Sequence, residues 1–210
     1  DCKKFNINSE ILASSPRVST IIIAYHWQYY DTRMTGAWLE EGRPFVILDH
    51  GVERPFTSSD RELVFQAQAD FIKRHRAQGK KVVLIGSPPL NIGFHPKFSQ
   101  YLKREWSGLP HIINQTWVPG PVNEDSPADQ TFTRQRLIKL AKDTGAKYID
   151  PVNYLCRADD AHQEKFLQGF TPDNYECRRL TDDGEHTHLD YSHYSNSYAK
   201  NAAWMDEIIK

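Results

Sequence analysis

At 210 residues and 24.3 kDa, with 39% apolar and 12% aromatic residues, the chain has material for one well-buried core without a metal or a disulfide framework. Its 25% charged residues and net charge of −1 exclude an unfolded polyelectrolyte and offer no basic excess to nucleic acid. The apolar runs Ile21 to Ala24 and Val82 to Ile85 are far short of the about 20 residues a membrane helix needs.

In chain order, Arg17 to Tyr25 is β-branched and follows Pro16, which predicts a buried strand. An aromatic-rich loop follows, from His26 to Thr35. Gly42 to His50 carries a short apolar run that reads as a second strand or an insertion. The spacing of Leu63, Val64, Ala67, Phe71 and Ile72 predicts a helix over 58–78, capped by Ser59 or Asp60 and closed by Gly79. Lys80 to Gly86 reads as a second buried strand, stopped at Ser87-Pro88-Pro89. After a Pro/Gly-punctuated stretch from Leu90 to Pro127, helical periodicity returns over 131–144. Lys147 to Pro151 is a short third strand. Tyr154 to Asp183 reads as loop with one helical turn, and 195–209 as a last helix. Strands alternating with helices imply right-handed crossovers and a parallel sheet, and continuous apolar strands imply helices on both faces. No linker divides the chain, so 1–210 is expected to be one domain. The start Asp1-Cys2-Lys3-Lys4 is no translation start, and the chain is read as a piece of a longer protein.

Three cysteines are an odd number. Cys156 and Cys177, 21 residues apart, can close a loop in one segment, leaving Cys2 with a partner outside the chain. Three reduced thiols are the alternative.

The densest polar cluster runs from Asp182 to Ser195. Within it, Asp190-x-x-His193 lets one loop present a carboxylate and an imidazole together. A carboxylate accepting from Nδ1–H fixes the tautomer, leaves Nε2 as a general base and stabilises the imidazolium, the arrangement a hydroxyl nucleophile needs. Ser195 then fits as the cap of the last helix. A metal is the rival: His186-x-His188-x-Asp190 resembles the start of the metallo-β-lactamase signature, but Tyr191 stands where its last histidine belongs. No metal is expected, and no glycine pattern suggests a nucleotide cofactor.

Several segments together resemble the SGNH-type domains fused behind transmembrane acyltransferases that O-acylate bacterial surface polysaccharides. They are Ile21-Ile22-Ile23-Ala24-Tyr25-His26-Trp27 with Tyr30, then Gly79 to Gly86 with Pro88-Pro89. Gly145-Ala146-Lys147-Tyr148-Ile149-Asp150-Pro151 follows, then Leu155-Cys156, Cys177, Asp190-Tyr191-Ser192-His193-Tyr194-Ser195 and Tyr198-Ala199. The resemblance covers about residues 15–210. It implies a three-layer α/β/α sandwich around a parallel sheet of about five strands (flavodoxin-like) and a Ser-His-Asp triad in which Asp190 and His193 hold two of the roles. It implies no cofactor.

That family's Gly-Asp-Ser nucleophile motif does not occur in this chain. The first strand and the nucleophilic serine are therefore expected upstream of Asp1, where Cys2 also finds its partner. The piece is therefore expected either to be aggregation-prone or to have the gap in its sheet filled by another segment, with Phe45 to Leu48 the first candidate. Ser87, following a strand as Gly86-Ser87, is the rival nucleophile, with Pro88 counting against it because it lacks the N–H an oxyanion would use.

The resemblance implies a periplasmic or extracellular domain, tethered to the inner membrane in the full-length protein. There a Cys156–Cys177 disulfide is expected. His26, Trp27 and Tyr30, at the carboxyl end of the first strand, are candidate sugar-binding aromatics, with packing as the alternative. The expected activity is transfer of an acetyl or other acyl group to a sugar hydroxyl. The partners would be a glycan acceptor and a fused or partner transmembrane acyltransferase domain that delivers the acyl donor. An SGNH carbohydrate esterase and a non-catalytic carbohydrate-binding domain are the alternatives.

Overall fold

A computed structural model describes residues 2–25, 27, 46–49, 52–57, 60–87, 117–119, 127–178 and 202–209. They fall into two units, Asp1–Ile85 with Arg136–Tyr148, and Gly86–Gln135 with Ile149–Lys210.

The first unit opens with helix α1 (Cys2–Ser14), a segment with no element expected from its sequence. Strand β1 (Thr20–Ala24) lies parallel to β4 (Lys81–Ile85), with Ile21 opposite Val82 and Ile23 opposite Leu84. Strand β6 (Lys147–Ile149) takes the other edge of β4, giving a parallel sheet of order β1-β4-β6. This is the expected parallel α/β architecture, with three strands among the described residues. Helix α2 (Asp60–Ala77) precedes β4, and helix α3 (Pro127–Thr144) precedes β6. Alternation along β1 and β4 sends Ile21, Ile23, Val82 and Leu84 to one face, where Phe65 and Ile72 of α2 and Leu137, Leu140 and Ala141 of α3 close the core.

On the other face Val83 is 0% exposed, yet its neighbour in register, Ile22, is 50% exposed. A parallel strand ordinarily has both faces covered, and β1 has no strand on its second edge among the described residues. Phe45 to Leu48 does not fill that place: β2 (Val46–Asp49) pairs antiparallel with β3 (Val52–Pro55) in a separate two-stranded sheet. A strand in a tight hairpin finds its partner at minimal loop-closure cost.

The hairpin is anchored to α2 through Arg54, whose guanidinium donates to both oxygens of buried Asp60 at 2.8 and 2.6 Å. Thr57 N–H and Oγ1–H also donate to the Asp60 carboxylate, at 2.6 and 2.7 Å. With Asp60 N–H donating to Thr57 O at 3.0 Å, these bonds tie Thr57 to the first turn of α2; Ser59, one of the expected caps, lies outside the described residues. The Arg54 and Thr57 hydrogen bonds hold the Asp60 carboxyl well below the usual carboxylate range. A depressed carboxyl contributes stability above its unfolded value and loses it only as pH falls through the folded one. The melting-temperature gap between wild type and Asp60→Ala should therefore stay constant from pH 7 to about pH 4 and narrow only in stronger acid. A gap already closing near pH 6 would contradict this.

Helices α2 and α3 both end in left-handed glycines, Gly79 (φ 80) and Gly145 (φ 69). Gly145 also makes room: a Cβ there would lie 1.7 Å from Arg76 Nη1, which crosses the helix end to donate to Thr144 O at 3.1 Å.

The second unit contains the segment expected to be mostly loop. It forms α4 (Val152–Leu155), β7 (Cys156–Ala158), α5 (Gln163–Leu167) and β8 (Tyr175–Arg178), and β5 (Trp117–Pro119) joins β8 in a sheet of order β5-β8-β7. Cys156 and Cys177 face each other in register across β7 and β8 and are joined by a disulfide. They pack with Val152, Leu155, Phe166 and Tyr175. The closed loop holds 21 residues of separation, a constraint worth roughly 3 kcal/mol in the chain-entropy account. Reduction under native conditions should lower the unfolding free energy by about that amount, read from urea titrations with and without reductant. An unchanged midpoint would show that strand pairing alone holds the segment.

Beneath this sheet, Arg134 of α3 is buried and fully engaged. It donates to Asp150 Oδ2 (2.7 Å), Asn153 Oδ1 (2.6 Å), Thr171 Oγ1 (3.1 Å) and Phe166 O (2.9 Å), and it lies over the Phe166 ring. Asp150 Oδ1 in turn accepts Val152 N–H at 3.1 Å, starting α4. Helix α3 begins at Pro127, four residues before its apolar periodicity does, and the final helix α6 is described as Ala203–Ile209. No helix among the described residues is long and apolar enough to cross a membrane.

Candidate functional site

Parallel α/β sheets present their chemistry beyond the carboxyl ends of their strands, and three residues stand at those ends. Trp27 follows β1, Ser87 follows β4, and Asp150 follows β6 directly. Each has a distinct environment.

Trp27 is fully buried. Its indole N–H donates to Ile85 O at 2.7 Å, its ring meets Tyr25 edge-on at 5.1 Å, and Phe65 lies 6.0 Å away. It is therefore a core residue that pins the turn after β1 to the last residue of β4, and it offers no open face for a sugar to stack on. Packing, the alternative considered for this aromatic, is the role its burial supports. His26 and Tyr30 lie outside the described residues.

Ser87 is buried two residues past β4, and Gly86 N–H donates to Ile149 O at 2.8 Å. Asp150 is committed to Arg134, so this carboxylate is structural.

Asp190 and His193 lie outside the described residues, as do His186, His188 and Ser195. The same spacing does occur inside them, at Asp159-x-x-His162. There the carboxylate Oδ1 lies 2.6 Å from His162 Nδ1 and accepts His162 N–H at 3.0 Å. The hydrogen bond from His162 holds the Asp159 carboxyl below its usual value. Both side chains are more than half exposed, and the pair closes the turn that leads into α5. It brings a carboxylate onto Nδ1 at an exposed turn, and this bears on Asp159 and His162 alone.

A family model described as "SGNH domain (fused to AT3 domains)" matches residues 1–203. No curated protein and no solved structure matches the chain.

Proposed function

From a chain that belongs to the SGNH family of domains fused to AT3 domains, we infer an extracytoplasmic O-acyltransferase domain that moves an acetyl or other acyl group onto a sugar hydroxyl of a surface polysaccharide. We treat 1–210 as one domain of a longer membrane protein, working with a transmembrane acyltransferase partner that supplies the acyl donor. The observation that carries this reading is the family match running through the Asp190-x-x-His193 loop.

The chemistry has two halves. A serine Oγ attacks the acyl carbonyl of the donor while His193 Nε2 takes its proton. The tetrahedral intermediate collapses, His193 returns the proton to the leaving group, and the acyl group remains as a serine ester. The acceptor hydroxyl then gives its proton to His193 and attacks that ester, and His193 returns the proton to the serine Oγ as the intermediate collapses, releasing the acylated sugar and the free serine. Asp190 holds the imidazole tautomer and stabilises the imidazolium in both halves. Trp27 supports the site indirectly, by fixing the turn after β1.

The serine comes from outside these 210 residues, because no Gly-Asp-Ser occurs here and Ser87 is buried and followed by Pro88. The edge of β1 that has no partner among the described residues, with the exposed Ile22 beside it, is where a further strand would complete the sheet. The 210-residue chain should accordingly show little hydrolysis of an activated acetyl ester, and a chain extended upstream through Gly-Asp-Ser should show both hydrolysis and transfer to an oligosaccharide. Activity in the short chain that Ser87→Ala abolishes would make Ser87 the nucleophile. Hydrolysis by the longer chain, with no transfer at saturating sugar, would favour the esterase.

A further inference from the structure

The end of the first unit opposite the strand carboxyl ends carries a concentration of positive charge that the catalytic reading does not use. Helices α2 and α3 both run antiparallel to the strands they precede, so their last turns and the first residues of β4 and β6 share that end. Segments 73–81 and 139–147 together hold eight basic residues and one acidic one. They carry +7 in a chain of net −1, leaving −8 for the rest.

Part of this charge has local work. Lys80 is buried, donating to the Ala13 and Ser15 carbonyls. Arg74 pairs with Glu10 at 2.9 Å, Arg76 closes the end of α3, and Lys139 pairs with Asp143 at 2.5 Å. Cations at helix C-termini also complement the helix dipoles. A surplus remains. Lys73 and Lys142 are exposed, with no ion-pair partner among the described residues, yet both act on Asp143. Its carboxyl is held below the usual range first by the Lys139 hydrogen bond and then by the charges of Lys139, Lys142 and Lys73. That common carboxylate places the α2 and α3 lysines on one rim.

We propose that this rim, centred on Lys73, Lys139 and Lys142, docks on the anionic phospholipid headgroups of the membrane to which the domain is tethered. Juxtamembrane basic clusters are drawn to such headgroups, and fusion to a membrane-embedded domain keeps the rim at high effective concentration near them. This rests on the family's fusion to AT3 domains and is independent of the catalytic assignment. Seated through the rim, the sheet stands with its strand carboxyl ends away from the lipid, towards glycan.

The test is flotation of the 210-residue protein with vesicles of phosphatidylcholine alone or with about 30% phosphatidylglycerol. Binding should require phosphatidylglycerol and fall at least about fivefold between roughly 0.05 and 0.5 M salt. Lys73→Gln with Lys142→Gln should weaken it at least about fivefold. Lys165→Glu, an exposed site of the second unit with the same change in net charge, should leave it unchanged. Thermal melts confirm that both variants fold. Equal binding by the rim variant and wild type, or no dependence on phosphatidylglycerol, would overturn the proposal. Tight binding to dextran sulfate without vesicle binding would replace the lipid by a polyanionic glycan and overturn it equally.

Discussion

His193→Ala is expected to lower kcat for acyl transfer by about 10⁴-fold in a chain that includes the nucleophilic serine, leaving KM for the sugar within a few-fold. In the proposed reaction the imidazole acts only as protons move: it takes one from serine and later one from the sugar hydroxyl. It contributes little to ground-state binding, so its loss falls on kcat. A 10⁴-fold change corresponds to about 5.4 kcal/mol of barrier. Asp190→Asn should cost a comparable factor by presenting the wrong tautomer, and the double variant should be little worse than His193→Ala, because the two groups act as one unit. Additive losses, or a loss confined to KM, would remove the dyad assignment.

Asp150→Ala should destabilise the domain by about 3–5 kcal/mol, the usual cost of stranding a buried charge. Arg134 sits among Asp150, Asn153, Thr171 and Phe166 with its side chain 5% exposed, and Asp150 is its only anionic partner among those contacts. Truncation leaves the guanidinium without a counter-ion and removes the acceptor that starts α4. For a domain of this size the midpoint of thermal unfolding should drop by roughly 10 °C. Arg134→Met with Asp150→Leu should recover part of that loss, since removing both charges spares the desolvation cost. If Asp150→Ala melts within about 2 °C of wild type, water or relaxation satisfies Arg134, and the pair is not the keystone of the second unit.

The parts of the fold written in strong periodicity were readable without coordinates. Strands β1, β4 and β6 and helices α2 and α3 have apolar runs or stripes that a sheet buried on both faces demands. Strands β5, β7 and β8 were not readable. Each has three or four residues, alternation such as Tyr175-Glu176-Cys177-Arg178 is too short to register, and their pairing is fixed by distant partners. Helix α1 was missed because Ile7, Ile11 and Leu12 are exposed, so its apolar residues do not trace a buried stripe.

The site was legible only as a motif. Asp150-Pro151 stood out through resemblance, but its partner had to be found in space. The one available signal was that Gln130, Thr133 and Arg134 occupy the same buried stripe of α3 as Leu137 and Ala141, which foretells a polar network. For Trp27, in a loop at the strand ends, the sequence leaves sugar binding and packing both open. The hydrogen bond that draws it into the core goes to a backbone carbonyl 58 residues away, which no local pattern encodes.

The proposed reaction passes through a serine ester whose serine is proposed to lie outside this chain and whose proposed base is His193. The most direct measurement is labelling by a fluorophosphonate, with the modified peptide identified by mass spectrometry, in both the 210-residue chain and one extended upstream. The account predicts no label on the short chain, one label on the Gly-Asp-Ser serine of the long chain, and loss of that label in His193→Ala. Labelling of Ser87, or labelling of the upstream serine undiminished by His193→Ala, would contradict it.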